Sequence, residues 1–503
     1  MSITEPRPRG AAETAIDGSA TTGAPAREHA PPALPRPRRG WFVPLLLRIH
    51  FFAGILVGPF ILIAAVSGAL YVVTPQIEQI VYAHELRAPV TQDRLPLGDQ
   101  VRIAEERIGD QATLAAVRPA PGPGDTTRVM FAQDGLGPSE TRAVFVDPGT
   151  GEIRGDLTVY GTSGALPLRT WVDQLHRSLN LGEPGRLYSE MAASWLGIVV
   201  LAGLGLWVAR MRRTRAKRDL LRPRPGARGY RRVFGWHAAL GVWLVLGALF
   251  LAASGITWST YGGANVATLR AALSWQTPAL DTTLAGASGI ADAHADHGVV
   301  AAPTADVSPD TFDDVLAVAR TENVNVGLVE IRPPAASGQA WVVQEIQRSF
   351  PTEVDAVAVD GDTLAVVDRV DFADYPVMAK LSRWAIDIHM GSMFGVLNQI
   401  ALFVVASAIA VMVVLGYVMW WKRRPTRDIA RRVGAAPREA LPQAPLWGIA
   451  LVVAVSIGIG YALPLVGIPL AAFVIGDAVV GAVRARRRRS ASSGGAEESV
   501  VRP

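Results

Sequence analysis

Long apolar runs alternate with polar stretches along this chain. The runs extend from Trp41 to about Val73, from about Met191 to Ala209, from about Trp236 to Trp258, and from Ile400 to Met419. About 20 apolar residues is the length of a helix that crosses a bilayer, so each run predicts a span. The first exceeds a minimal span and predicts a tilted or overlong helix. A last apolar stretch, 446–483, is interrupted by Pro464 and Pro469 and flanked by basic residues on both sides. That predicts a hairpin of two helices, because both flanks belong on the same face. The expected fold is an α-helical integral membrane protein with six spans.

The polar stretches between spans carry their own periodicity. LGDQVRIAEERI (97–108) reads as an amphipathic helix, TLAAVRP, TRVMFAQ and TRAVFVD alternate like strands, and DPGTGE (147–152) is a tight turn. This predicts a small α+β domain over 76–165, then an amphipathic helix within 166–190. The second polar stretch, 261–380, repeats the pattern with FDDVLAVART as helix and VGLVEIRP, AWVVQEI, EVDAVAVD and LAVVD as strands. The remaining divisions are a disordered tail 1–40, spans at 41–75, 191–209, 233–260 and 381–421, basic linkers 210–232 and 422–445, the hairpin 446–483 and a tail 484–503.

Charge and composition narrow the class. The 503 residues carry a net charge of +5, and the basic residues cluster beside the apolar runs. That is the positive-inside pattern, which predicts a multi-pass cytoplasmic (inner) membrane protein with both termini cytoplasmic, and no nucleic-acid partner. There are no cysteines, which excludes disulfides, iron–sulfur clusters, thiolate metal sites and thiol catalysis. Redox chemistry would need a cofactor held by other side chains, and eight histidines are the main candidates.

The two halves of the chain repeat each other. His50, Gly54, Ser67 and Gly68 recur at the spacing of His237, Gly241, Ser254 and Gly255, as H-x3-G-x12-S-G. His176 and Gly182 recur as His389 and Gly395, LGLWVARMRR (204–213) mirrors LGYVMWWKRR (415–424), and AAVRP (115–119) mirrors VEIRP (329–333). Both halves start on the same side, so they are parallel repeats about an axis along the membrane normal. Four histidines then form two symmetric pairs, His50 with His237 at one membrane face and His176 with His389 at the other. Paired neutral imidazoles suit the axial positions of haem iron, which predicts two haem b groups. The small residues of the motif would leave flat space, or simply pack helices. Asp173 and Asp387 are candidates to orient the imidazoles, and Arg48, Arg232, Arg177 and Arg383 either to pair with haem propionates or to serve as interfacial charge. His29, His84, His294, His297 and Asp477 have no place in the repeat; His294 with His297, in DAHADH, reads as a solvated loop, with a loosely held metal as the alternative.

ADYPVMAKLSRWAIDIHMGSMFGVLNQ (373–399) resembles the signature of the PepSY-associated transmembrane family of bacterial inner-membrane proteins. FVDPGTGEIRG (145–155) is similar to the closing strand and turn of a PepSY domain. The second polar stretch keeps only VAVDGDTLAVVD (357–368), without the Pro-x-Thr-Gly turn. The resemblance implies two PepSY-like extracytoplasmic domains. Some members are di-haem ferric-siderophore reductases, so it also implies an enzyme passing electrons to a ferric-siderophore or other iron chelate. His50, His176, His237 and His389 match the membrane histidines of the family. With no nicotinamide or flavin fingerprint in the chain, the expected electron donor is a quinol or a separate protein. Two other readings stand beside it: a haem-free membrane protein whose external domains regulate a peptidase, and an accessory of iron uptake.

Overall fold

The computed structural model describes residues 40–214, 221–285, 307–423 and 444–472, with 475, 476, 479 and 483. Both terminal tails, most of the 422–445 linker, His29, His294, His297 and Asp477 lie outside the described residues.

The chain enters through α1 (Phe42–Leu56) and α2 (Gly58–Tyr71), which meet at a bend of 63°. Together they occupy the overlong first apolar run of the sequence. Its bend has a covalent cause, since Pro59 has no N–H to give the Ile55 carbonyl one turn back. The Tyr417 hydroxyl donates to that carbonyl at 2.5 Å instead. Two short helices, α3 (Thr74–Val81) and α4 (Ala83–Leu86), lead on to α5 (Leu97–Ile108). Four strands follow, β1 (Thr113–Arg118), β2 (Thr127–Ala132), β3 (Glu140–Val146) and β4 (Ile153–Tyr160), then α6 (Pro167–Ser178) and α7 (Glu183–Met211).

The second half repeats this order. Helix α8 (Gly229–Ile256) and α9 (Tyr261–Ala272) precede α10 (Thr311–Glu322). Strands β5 (Val329–Arg332), β6 (Trp341–Glu345), β7 (Ala356–Val359) and β8 (Val366–Val370) lead to α11 (Val377–Met390) and α12 (Gly395–Arg423), and α13 (Leu446–Ala462) follows.

Helices α7, α8 and α12 are each long and apolar enough to cross a membrane, and the bent α1–α2 pair makes a fourth candidate if it is one span. The described residues therefore carry three or four candidate spans where six were expected. The 17 residues of α13 reach about 26 Å at 1.5 Å per residue, short of a hydrocarbon core of about 30 Å. Beyond it the chain turns back at Pro464, where Gly467 leaves no room for a Cβ against Gly460. Small residues line the helix bundle: Ala53, Ala65, Ala192 and Ala248 pack with Val57, Ile61, Trp195 and Ile409, as close approach of membrane helices requires.

The two polar stretches fold as one antiparallel sheet of eight strands in the order β4-β3-β2-β1-β5-β6-β7-β8. Each stretch supplies a four-stranded meander, and the seam is β1 against β5, with Val117 opposite Ile331. The two separate domains expected from the sequence thus share a sheet. The physical reason is that β1 and β5 would otherwise be open edges, and pairing removes both. Helices α5 and α10 cover one face over a common core that includes Val101, Phe131, Phe312, Ile331 and Val343. The other face packs Ala116, Met130, Phe145 and Val159 against Leu86 and Leu166, at the approach to the helix bundle. Arg118 and Glu330 form a buried ion pair at the seam, 2.7 Å apart.

The turn that the second half lacks in sequence is present in its backbone. In 147–151, Asp147 O accepts from Gly151 N at 2.9 Å, and Gly151 has φ +75°. In 360–364, Asp360 O accepts from Leu364 N at 2.9 Å, and Leu364 adopts φ +57°.

Candidate functional site

His50 on α1 and His237 on α8 face each other inside the bundle. Their ring centroids are 6.1 Å apart, with the planes at 77°. A metal–imidazole bond is about 2 Å long, so two imidazoles on opposite sides of one metal atom would have centroids about 6 Å apart. His50 Nδ1 lies 2.9 Å from the Val199 carbonyl on α7. A carbonyl only accepts, so Nδ1 carries the proton and Nε2 keeps its electron pair. His237 approaches the Met412 backbone without completing a hydrogen bond at Nδ1.

Glycines on the other two helices make room for these rings. A Cβ at Gly203 on α7 would lie 3.0 Å from His50 Cε1, and one at Gly416 on α12 would lie 3.9 Å from His237 Cε1. Gly54, one turn after His50 and on the same face of α1, has open space where a Cβ would stand. Its repeat counterpart Gly241 faces Met412 Cε at 3.2 Å.

The second pair sits on the sheet side. His176 occupies the last turn of α6 and His389 the last turn of α11. His389 is within electrostatic range of His176 and lies against Trp258, with ring centroids 5.8 Å apart. Each histidine reaches the Ser-Gly step of its own half. Ser67 Oγ is 3.0 Å from His176 Nδ1, and Ser254 Oγ is 2.6 Å from His389 Nδ1. A Cβ at Gly68 would lie 3.1 Å from His176 Cε1, and one at Gly255 would lie 3.9 Å from His389 Cε1. From His237 to Ser254 the continuous helix α8 rises about 25 Å, which separates the two pairs by most of a membrane thickness.

The acidic residues expected to orient the imidazoles are engaged elsewhere. Asp387 is fully buried and pairs with Arg383 Nε at 3.0 Å and with Arg348 at 3.8 Å. Burial raises its pKa, against the opposing charges of Arg383 and Arg348. Asp173 is likewise raised by burial, with Arg177 and Arg169 opposing. Neither has a hydrogen bond to a histidine among the described residues.

Of the four arginines expected near propionates, Arg383 joins the Asp387 cluster beside His389, and Arg177 joins the charges around Asp173 beside His176. Arg177 turns to the Tyr160 hydroxyl, Arg48 is buried with its guanidinium 5.4 Å from the Phe52 ring centroid, and Arg232 lines a cleft of about 380 Å³ with Pro223 and Trp236. His84 is exposed and bonds the Arg154 carbonyl at 2.7 Å.

Arg348 was not among the expected residues. It hangs from the β6–β7 loop, which meets the helices where Phe350 N donates to Met393 O at 2.8 Å. Burial, then the neighbouring charge of Arg383, pushes its pKa down to about 10. Arg348 also bonds Thr162. Two guanidiniums therefore share one carboxylate, two residues before His389. The repeat made the serines visible as small residues only; their contact with the second histidine of each half had no signal in spacing. Separately, Glu345, Glu353 and Asp355 bring oxygens within 4.8 Å of one another at the base of the β6–β7 loop. There Glu345 accepts from the backbone N–H groups of Asn325 and Val326.

Residues 47–423, which include all four paired histidines, match the family profile described as the PepSY-associated TM region. None of the curated proteins matches the chain.

Proposed function

The chain belongs to the PepSY-associated transmembrane family, and we propose that it is a di-haem oxidoreductase of the cytoplasmic membrane that passes electrons to a ferric, siderophore-type chelate on the outer side. The observation that carries this reading is the His50–His237 pair. Two rings from different halves of the chain lie 6.1 Å apart, and the Val199 carbonyl leaves His50 Nε2 free. His50 and His237 would hold the inner haem, and His176 and His389 the outer one. Haem held by two imidazoles supplies reversible one-electron transfer.

The chain's own residues do the rest. Val199, Ser67 and Ser254 orient three of the imidazoles, and Gly203, Gly68, Gly255 and Gly416 let the rings seat against neighbouring helices. Arg348 and Arg383, sharing Asp387, leave net positive charge beside His389, suited to a propionate or an anionic chelate. Basic residues end α7 and α12, with Arg210 on one and Lys422 and Arg423 on the other, and this supports a cytoplasmic side opposite the sheet. Electrons would enter there from a quinol or a separate donor protein. Delivery to the chelate loosens it, because hard oxygen donors hold Fe(III) better than Fe(II).

The test is spectroscopic. Protein purified from haem-supplied cells should give a Soret band and respond to dithionite. Folded protein without a Soret band would overturn the reading.

A further inference from the structure

We infer that Ser67 and Ser254 are positioning residues that hold His176 and His389 in the Nδ1-protonated form, with Nε2 as the free electron pair. A serine hydroxyl has one proton. Ser67 Oγ lies 2.7 Å from the Ile63 carbonyl one turn back on α2, and Ser254 Oγ lies 2.6 Å from the Phe250 carbonyl on α8. Bonding back to the preceding turn is a common habit of helical serines. A carbonyl has no proton to offer, so each hydroxyl proton is committed to it.

The same two oxygens lie 3.0 Å from His176 Nδ1 and 2.6 Å from His389 Nδ1. With the hydroxyl proton engaged, the proton of this second bond must come from the imidazole. At His176 the Ala64 carbonyl, 3.2 Å from Ser67 Oγ, adds an acceptor on the same side of the ring. The Tyr188 hydroxyl donates to the His176 carbonyl at 3.1 Å, so its proton does not displace the imidazole at Ser67. Gly68 seats the ring by leaving out a Cβ that would press on Cε1 at 3.1 Å.

The two halves reach the same arrangement from different surroundings. Ser67 follows Ala64, Ala65 and Val66, whereas Ser254 follows Leu251, Ala252 and Ala253. What the two sites share is the serine, the glycine after it and the histidine. The opposite tautomer would put the proton on Nε2 and close that nitrogen to a metal. The chain N–H···O–H···O=C also polarises along its length, which makes the serine a better acceptor and the imidazole a stronger donor at Nε2. The inner pair has no serine: His50 uses the Val199 carbonyl, so it serves as an internal control.

The inference rests on the di-haem reading for what Nε2 binds, but not for the tautomer. Its test has two arms. In full-length protein from haem-starved cells, ¹⁵N-histidine NMR should give Nδ1–H resonances for His176 and His389. Ser67→Ala should move the first and Ser254→Ala the second, whereas Ser67→Thr and Ser254→Thr, which keep the hydroxyl, should move neither. In haem-loaded protein each Ala variant should shift the midpoint potential of the outer centre upward, leave the inner centre unchanged, and be restored by Thr. Nε2–H resonances at either histidine, or unchanged potentials in both Ala variants, would overturn the inference. Wild-type protein that folds but takes up no haem overturns the proposed function instead, and the NMR arm still decides the tautomer.

Discussion

Val117 and Ile331 face each other across the β1–β5 seam, and they are the same position in the two halves of the chain. AAVRP and VEIRP, recognised first as a repeat, are paired with each other in the sheet. The strand order reads the same outward from this point in both directions. The sheet therefore carries an approximate two-fold relation like the one that pairs the histidines, and a departure from it in one half marks a residue to test.

Leu364 is such a departure. It occupies the left-handed backbone position that Gly151 fills in the other half, at φ +57° against +75°. A residue with a Cβ is disfavoured there by about 1–2 kcal/mol. Replacing Leu364 by Gly should stabilise the sheet by about 1 kcal/mol, read as a higher melting temperature. Gly151→Leu should destabilise it, with Ile103 Cδ1 standing 2.7 Å from the added Cβ. A lower melting temperature for Leu364→Gly would show that the leucine side chain contributes more than its backbone costs.

On the di-haem proposal, single alanine replacements of His50, His176, His237 and His389 should each remove about half of the haem, since each would take away one of the two imidazoles that would hold a centre. His50→Ala and His237→Ala should abolish the same spectral component, and His176→Ala and His389→Ala the other. His84→Ala should change neither, because His84 is exposed and engaged with Arg154. Pigment analysis of the purified variants tests the pairing as well as the ligand set.

Gly54 separates an open site from ordinary helix packing. Among the described residues, no atom beyond its own stretch of helix lies within 4 Å of a Cβ placed there, although the residue sits one turn from His50 on the same face. Gly54→Leu should fold, and the haem-free protein should gain up to about 1 kcal/mol from better helix propensity. Haem uptake at the inner pair should nevertheless fall, because the side chain enters the space beside His50. Undiminished uptake with intact His50 would mean that this space faces lipid.

Much of this was legible in the chain. Twenty-residue apolar runs specify spans through a length requirement alone, and the repeat paired the histidines. The single sheet was not legible, because β1 and β5 are more than 200 residues apart and either meander reads as complete. The role expected of Asp387 was not met for a geometric reason, and Asp173, three residues before His176, faces the charges of Arg177 and Arg169 instead. Asp387 and His389 are two apart on a helix and do not face each other, whereas Arg383, four residues back, does face Asp387. Arg348 escaped notice because it reaches the site from a strand loop rather than from a helix of the repeat.

Glu78 gives a pH dependence of defined sign. It is buried, accepts from Leu166 N at 2.7 Å and faces Arg169 at 3.8 Å. Burial raises its pKa, with Arg169 opposing. The folded protein therefore holds this proton more tightly than the unfolded chain. That contribution is complete below about pH 4.3, the ordinary glutamate value, and is lost as pH rises through the raised one. Glu78→Gln carries the neutral form throughout, so its melting temperature relative to wild type should rise across this window and stay level below it. A difference that falls with rising pH would mean that pairing with Arg169 outweighs burial.

The bend in the first span makes the last prediction, and it joins residues far apart in the chain. Pro59 leaves the Ile55 carbonyl without its helical donor, and Tyr417 supplies a hydroxyl at 2.5 Å. Gly58 permits this approach, since a Cβ there would already stand 3.0 Å from Tyr417 Cε2. Inside a bilayer an unmet carbonyl finds no water. Tyr417→Phe should therefore cost about 1–3 kcal/mol, measured by unfolding in detergent. Pro59→Ala restores a backbone N–H at the position that would serve Ile55, so in that background Tyr417→Phe should cost much less. The double-mutant cycle isolates this coupling from the loss of ring packing, which is common to both backgrounds. Additive costs would show that the tyrosine acts by packing alone and that the bend is held by something other than this bond.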